Sequence, residues 1–579
     1  LKLGRLAGLI LVVILVGAAL YWARTGRSAD DSASVGPARG GRLIASYSSE
    51  PKSFNRLVSP IGADDLVSRL TQTTLIRVNR ATGEVEPRLA REWSSSADGL
   101  TWTFKLRDGV TFSDGAPFTS ADVVFTFAAL YDKTVASDMA STLSVNGQPL
   151  ATRAVDAATV TITFPSVFGP GITLLDTLPI LPKHKLQAAL DAGRFRDAWN
   201  ATTPPSEIAG LGPFVLTSYT PGQRLLFERN RRFWQRDAAG AALPYLDEIQ
   251  IDVIPETSAE VLRMESGGAD LMSHPVRPED LAAFRRQEAG GAIRLADAGV
   301  STDPNVMWFN LVPGAPSTRD RPWLRQEALR HAVSFAVNRQ TIVDTVYLGA
   351  AVPIFGPVTP GYGEWYLADL PRTNHDPSHA RTLLQSIGLR DGNGDGVLED
   401  ASGRPARFSL LTQKGNTVRE RTAAIVKEHL RLVGLTVDVL GVDPPSLFGR
   451  YQKGDYDAIL FYAPVDSTDP ARTPEFWMSS GPFHFWHPNQ PKPATEWEAT
   501  IDDLMRRQST TLDRAERRRL FAEVQRLMSA HLPVLHFAAP TVTIAMSARL
   551  QGATPSVFDP PVLWNAEVLS ISGPLVKKQ

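Results

Sequence analysis

Alternating apolar and polar positions mark the first readable strand. Residues Thr101 to Arg107 read TWTFKLR, with Trp102, Phe104 and Leu106 at every second position, the pattern of a half-buried strand. Asp108-Gly109 is a hairpin turn signal and predicts a return strand over 110–112. Thr119 then stands three residues before Asp122, the spacing of a capping box, and Phe118 can staple to Val123 across the start of a helix. Val123, Val124, Phe127, Ala128 and Tyr131 follow at helical spacing. Two more helical patterns run back to back from Arg325 to Leu348. Leu329, Ala332, Val333 and Ala336 share one face; Asn338 restarts the helix, and Gly349 stops it. Asp376-Pro377 begins another, with Pro at the first helical position. An amphipathic helix over 419–433 is closed by Gly434 and followed by a strand over 435–440. Strands and helices alternate throughout, which is the α/β class.

Composition narrows the picture. The chain has 579 residues, 60 Lys+Arg against 61 Asp+Glu, and 43% hydrophobic residues. These are the proportions of a folded soluble body and not of a disordered chain or a multi-span membrane protein. A net charge of −1 leaves no basic excess for neutralising the phosphates of a nucleic acid. With no cysteine, disulfides, thiolate metal centres and a Cys nucleophile are excluded, as is the lipid-bearing Cys of a bacterial lipoprotein. A chain this long exceeds what one core normally serves, so two or three domains are expected.

The run over residues 6–23, LAGLILVVILVGAALYWA, has 18 residues and no charge; Lys2 and Arg5 precede it, and Arg24 and Arg27 follow. As a helix it would span about 27 Å, the core of a thin bilayer. Tyr21 and Trp22 suit a membrane interface and favour an uncleaved anchor, whereas Gly17, Ala18 and Ala19 suit signal cleavage. Residues 1–27 are therefore read as anchor or signal, and the small, polar residues 28–41 as a flexible linker. The body that follows is expected outside the cytoplasmic membrane, tethered to it by this helix.

The sequence carries no phosphate loop, no G-x-S-x-G elbow, no H-E-x-x-H helix and no dinucleotide fingerprint. His375 and His379 are four apart, but Pro377 between them spoils a shared metal face. Asp391, Asn393 and Asp395 alternate with glycines in the pattern D-x-[DN]-x-[DN]-G, the first half of a calcium loop. The twelfth position, where a bidentate acid belongs, is Ser402; Glu399 and Asp400 are the acids within reach. The alternative is a solvated Asp/Gly turn. No cofactor is required by anything in the sequence.

Four ordered segments carry a family resemblance: EPRLAREW with DGLTWTFKLRDGVTFSDGAPFTSADVVFTF (86–93 and 98–127), GLGPFVLTSYTPGQRLLFERNRRFW with PYLDEIQIDVIPE (210–234 and 244–256), WFNL with LRQEALRHAVSFAVNRQTIVDTV (308–311 and 324–346), and GDYDAILFYAPVDSTDP (454–470). With GGRLIASYSSEPKSFNRL at 40–57, the chain resembles the family 5 extracellular solute-binding proteins of ABC importers, the group of oligopeptide, dipeptide and nickel receptors. The resemblance covers residues 40–570. It implies a type II periplasmic-binding-protein fold: two lobes closing over a ligand at a hinge, with an extra domain inserted. Domain I would comprise 42–80, 205–300 and 530–579, domain II the insertion 81–204, and domain III the opposing lobe 301–529.

What the resemblance implies for function is a monomeric, non-enzymatic receptor. It would bind extended peptides as an added strand in the interlobe cleft and hand them to permease subunits. The family's W-x-x-D-x-x-[DE]-P stretch, matched at Asp469-Pro470, places the acceptor of a peptide ammonium at Asp466. The family's Trp in that stretch is Ala463 here, and Tyr462 is the candidate to supply the missing aromatic surface. Trp308, Asn310, Trp477 and Trp486 are further candidates for the interlobe face. The competing readings keep the fold and change the ligand to a nickel chelate, an opine or an oligosaccharide, or make the chain an anchored sensory module without a permease.

Overall fold

A computed structural model describes residues 38–60, 62–463 and 468–573. The apolar run 6–23 and its flanks lie outside the described residues. Among the described residues, no helix is long and apolar enough to cross a membrane.

The chain forms two α/β lobes. In the first, a four-stranded sheet pairs Arg42–Tyr47 in parallel with Glu248–Val253, which is flanked by the antiparallel strands Arg224–Arg229 and Phe214–Thr220. A second four-stranded sheet lies wholly within residues 81–204, in the order Ala90–Ser95, Thr101–Leu106, Thr159–Thr163, Ala151–Asp156. One contiguous core serves both sheets, from Leu43 and Ile249 through Phe104 and Phe127 to Ile571. The glycines of the GLGPF segment have a packing cause here. A Cβ on Gly210 would stand 1.9 Å from the Thr71 carbonyl oxygen, and one on Gly212 2.5 Å from the Thr71 carbonyl carbon, so backbone lies directly on backbone.

The second lobe is built on a five-stranded sheet, in the order Thr436–Val442, Arg407–Gln413, Ala458–Tyr462, Asn305–Phe309, Val534–His536. Its central strands Ala458–Tyr462 and Asn305–Phe309 are mostly apolar because both faces are covered. Met307 and Phe309 face one core, with Phe408, Leu410 and Leu460 under helices Glu327–Ala336, Pro377–Ser386 and Thr417–Arg431. Val306 and Trp308 face the other, with Leu411, Ile459, Trp477, Trp486 and Phe521. Because strand Val534–His536 pairs with Asn305–Phe309, the chain stays with this lobe beyond the expected boundary at 529. Two strands then cross between the lobes: Ile293–Val300 pairs antiparallel with Ala538–Ser547, which also pairs with Ala351–Pro353.

Several local expectations correspond to real elements. Thr119 and Asp122 form a capping box on helix Ser120–Tyr131. Asn338 accepts from the N–H groups of Gln340 and Thr341 to start helix Arg339–Thr345, and Asp376 accepts from His379. Two differ. No return strand forms over 110–112, where Thr111 makes only a bridge to Pro117. Val110 and Phe112 turn into the core, and Thr101–Leu106 pairs with distant strands on both sides. The helix expected from 419 begins at Thr417, because Asn416 caps it by accepting from the Arg419 N–H.

Candidate functional site

Ligands of α/β sheets lie outside the carboxyl ends of the parallel strands. In the second lobe the parallel strands Arg407–Gln413, Thr436–Val442 and Ala458–Tyr462 end at Gln413, Val442 and Tyr462, and Asn305 sits beside Tyr462 at the same edge. The interlobe crossing lies at this edge too, since Asn305 follows directly from it. There the Ser301 N–H donates to the Pro540 carbonyl (2.8 Å), the Thr359 hydroxyl to the Ser301 carbonyl (2.7 Å), and the Thr541 N–H to the Ala350 carbonyl (3.0 Å). In the first lobe, the strand ends at Tyr47 and Val253 are the corresponding edge. Burial pushes the Tyr47 phenol up, helped by the negative charges of Asp559 and Asp65. Burial also raises Asp303 at the crossing.

The sequence candidates divide sharply. Tyr462 is exposed at the strand end, its ring against Phe461. Asp466 lies outside the described residues. The other four are interior groups and offer no open face. Trp308 stacks on Phe485 at 4.4 Å, and Trp477 meets Phe521 edge-on at 5.1 Å. Trp486 donates from Nε1 to the Glu498 carboxylate (3.0 Å). Asn310 donates from Nδ2 to the carbonyls of Gly454 and Tyr456. Aromatic and apolar residues inside the second lobe's two-faced sheet simply fill its cores, which is why large Trp residues read as candidates and became packing.

One residue missed by sequence reasoning stands at the edge. Arg419 lies in the first turn of helix Thr417–Arg431. Its Nε donates to Asn305 Oδ1 (2.8 Å) and its Nη1 to Gln413 Oε1, while Asn305 Nδ2 donates to the Tyr347 hydroxyl (3.2 Å). The guanidinium lies over the Phe461 ring at 4.3 Å and near Tyr462 at 5.4 Å. Burial pulls its pKa down, with Tyr462 and Tyr347 opposing. Spacing gave no signal for it, because Glu420 stands beside it in the same first turn.

Asp469 and Arg517 form a buried ion pair at 2.6 Å. Arg517 also donates to the Gln508 carbonyl (3.0 Å) and lies over the Trp365 ring. This corner meets the first lobe, where the Gly169 N–H donates to the Ser509 carbonyl (2.5 Å). Further along, the carboxylates of Asp391, Asp395 and Glu399 each have an oxygen within 4.8 Å of the others. Asp391 accepts from the Gly394 and Gly396 N–H groups, and Asn393 from that of Asp395. Asp400 turns away to pair with Arg404.

A family model described as bacterial extracellular solute-binding proteins, family 5 middle, matches residues 84–485. A probable ABC transporter-binding protein of Deinococcus radiodurans is 28% identical over 526 residues, covering 86% of this chain and 87% of its own. The oligopeptide-binding protein AppA of Bacillus subtilis is 25% identical over 565 residues, covering 95% and 96%. Its structure in complex with a nonapeptide matches at a TM-score of 0.68 and 24% identity over 93% of this chain and 100% of that one. NikA of Brucella suis in complex with Fe(III)-EDTA matches at a TM-score of 0.75 and 22% identity over 92% and 100%.

Proposed function

Because the chain belongs to the family 5 bacterial extracellular solute-binding proteins, we propose that it takes peptides, extended, into the cleft between its lobes and delivers them to the permease of an ABC importer. The observation that carries this reading is the pair of separately cored lobes joined by crossing strands, with strand carboxyl ends at the crossing. A ligand touching both edges stabilises the shut arrangement over the open one, and that difference is what a permease can read. The Bacillus relative, named for oligopeptides, supports the ligand class. In this reading Asp466 receives the peptide ammonium, Tyr462 supplies ring surface beside it, and no bond of the ligand is made or broken. Residues 6–23 tether the receptor to the membrane.

Native mass spectrometry of co-purified ligand, with thermal shift against di- to pentapeptides, tests the proposal. Peptides should raise the melting temperature, since binding only the native state stabilises it. A response confined to nickel chelates or sugars removes the peptide reading. Asp466→Asn should weaken peptides with a free N-terminus far more than N-acetylated ones.

The Asp391, Asn393 and Asp395 loop is proposed as a structural Ca²⁺ site with Glu399 as the completing acid, supported by the convergence of the Asp391, Asp395 and Glu399 oxygens. Ca²⁺ added to chelator-treated protein should raise its melting temperature, and Asp391→Asn should abolish that rise. Identical melting curves with and without Ca²⁺ would return the loop to a plain Asp/Gly turn.

A further inference from the structure

We infer that the inserted segment 81–204 is a catch for the opposing lobe. It receives the turn between helices Glu496–Thr510 and Arg514–His531 and holds the lobes together with no contribution from a ligand. The inference rests on the reading that the lobes part and close, and not on the class of solute. Three separate turns of the insertion meet this one turn, and each presents a glycine to it. The Gly169 N–H donates to the Ser509 carbonyl (2.5 Å). A Cβ on Gly99 would stand 2.7 Å from Leu512 Cδ1, and one on Gly83 3.7 Å from Arg514 Nη2. Next to Gly83, the Glu84 carboxylate lies 3.9 Å from Arg514 Nη1. Gly99 is buried although residues 94–98 before it are exposed, and the atoms nearest its open side are those of Leu512.

The turn owes its shape to its own lobe. The Asp513 carboxylate accepts from the Glu516 N–H (2.8 Å) and starts the second helix. The Thr511 hydroxyl donates to the Arg507 carbonyl (2.7 Å), and Arg514 Nε donates to Glu364 Oε1 (2.7 Å). A turn tied in this way keeps its form when the insertion moves away. Leu512, at its tip, is half-exposed and packs into neither core of the second lobe. None of the residues in contact belongs to the crossing strands Ile293–Val300, Ala538–Ser547 and Ala351–Pro353. Rotation about that crossing therefore pulls them apart, which makes the contact a property of one arrangement of the lobes. An interaction made in only one of two states shifts the population toward that state.

Gly169→Ala tests the catch. The backbone of Gly169 has an ordinary conformation open to alanine, and the atoms nearest the added methyl, from Arg517 and the Thr511 carbonyl, belong to the second lobe. The substitution spares the fold of the insertion and wedges the two surfaces apart. The chain has no cysteine, so spin labels at Arg153→Cys and Lys427→Cys, exposed positions on opposite lobes, report the interlobe distance alone. The full chain, stripped of co-purified solute, should show a short and a long separation. Gly169→Ala should lower the ratio of short to long by at least about 5-fold, the equivalent of one hydrogen bond. An unchanged ratio overturns the inference and leaves hinge closure standing. So does a short separation that forms only when a pool of di- to pentapeptides is added. A single separation, unmoved by the variant or by the pool, overturns the inference and the hinge reading together. If Gly169→Ala loses its cooperative melt, Leu512→Asn, at a half-exposed position outside the cores, decides by the same ratio.

Discussion

Glu567→Ala is expected to destabilise the first lobe by about 3–5 kcal/mol, the usual cost of breaking a buried ion pair from one side. Glu567 is 2% exposed, and its Oε1 accepts from Arg77 Nη1 (2.6 Å) and Arg88 Nη1 (2.8 Å). Arg77 would keep Glu86, but Arg88 is itself buried and would keep neutral partners, the Gln235 amide and the Trp234 ring. The pair also joins chain ends, because Glu567 lies 479 residues from Arg88 and 490 from Arg77. Burial alone would raise the Glu567 carboxyl, yet Arg88 and Arg77 outweigh it and hold it down at about 2. A carboxylate depressed in the folded state stabilises above its unfolded value and loses that contribution as pH falls through the folded one. The wild type should therefore weaken between about pH 4.3 and pH 2. Glu567→Gln should flatten part of that decline and leave the part due to Glu498, also held at about 2, where burial is opposed by bonds from His484, Gln490 and Trp486. Urea unfolding at pH 7 and across the acid range provides the check. A midpoint unchanged in Glu567→Ala would mean the two arginines relax to solvent.

Asp469→Ala should cost a similar amount, about 3–5 kcal/mol, and should also weaken ligand binding. The Asp469 carboxylate, three residues after Asp466 in sequence, holds Arg517 and accepts from the Ala471 N–H (2.9 Å). Removing it leaves the Arg517 guanidinium, whose side chain is 4% exposed, with only the Gln508 carbonyl and the Trp365 ring as partners among the described residues. The double variant Asp469→Ala/Arg517→Met should be less damaging than the two single losses added, since the uncompensated charge is gone. Unfolding and peptide titration are measured together. Lost stability with unchanged affinity would confine the pair to folding and deny it any part in placing the ligand stretch.

Residues that act through their neighbours in sequence were legible; residues that act through distant partners were not. Thr119 with Asp122, and Asn338 and Asp376 as caps, are local geometry, so spacing alone located three helix starts. The two-lobed architecture was legible through ordered motifs spread over most of the chain, and the family match over 84–485 agrees. The return strand at 110–112 failed because the real partners of Thr101–Leu106, at 90–95 and 159–163, are set by tertiary pairing. Trp308, Trp477 and Trp486 misled for a related reason: a tryptophan's size suits a binding face and a core equally, and only burial distinguishes them. Arg419 was passed over as the polar start of an amphipathic helix. Its meaning depends on Asn305, 114 residues away, and on the lack of an acid partner among the described residues.

The hydrogen bond from Gly169 to the Ser509 carbonyl involves no ligand atom. Beside it, a Cβ on Gly169 would stand 2.4 Å from Arg517 Nε and 2.7 Å from the Thr511 carbonyl, so this close approach suits a residue without a side chain. A bridge between lobes that must break when they part lowers the free energy of the shut form whether the cleft is filled or empty. It therefore lengthens the time a captured solute stays inside, and it raises the fraction of empty receptors that are shut and admit nothing. In such a case retention and capture speed are set against each other at a contact that carries no ligand. A receptor tuned for scarce solute and one tuned for fast turnover could differ at this contact while sharing every residue that touches the ligand.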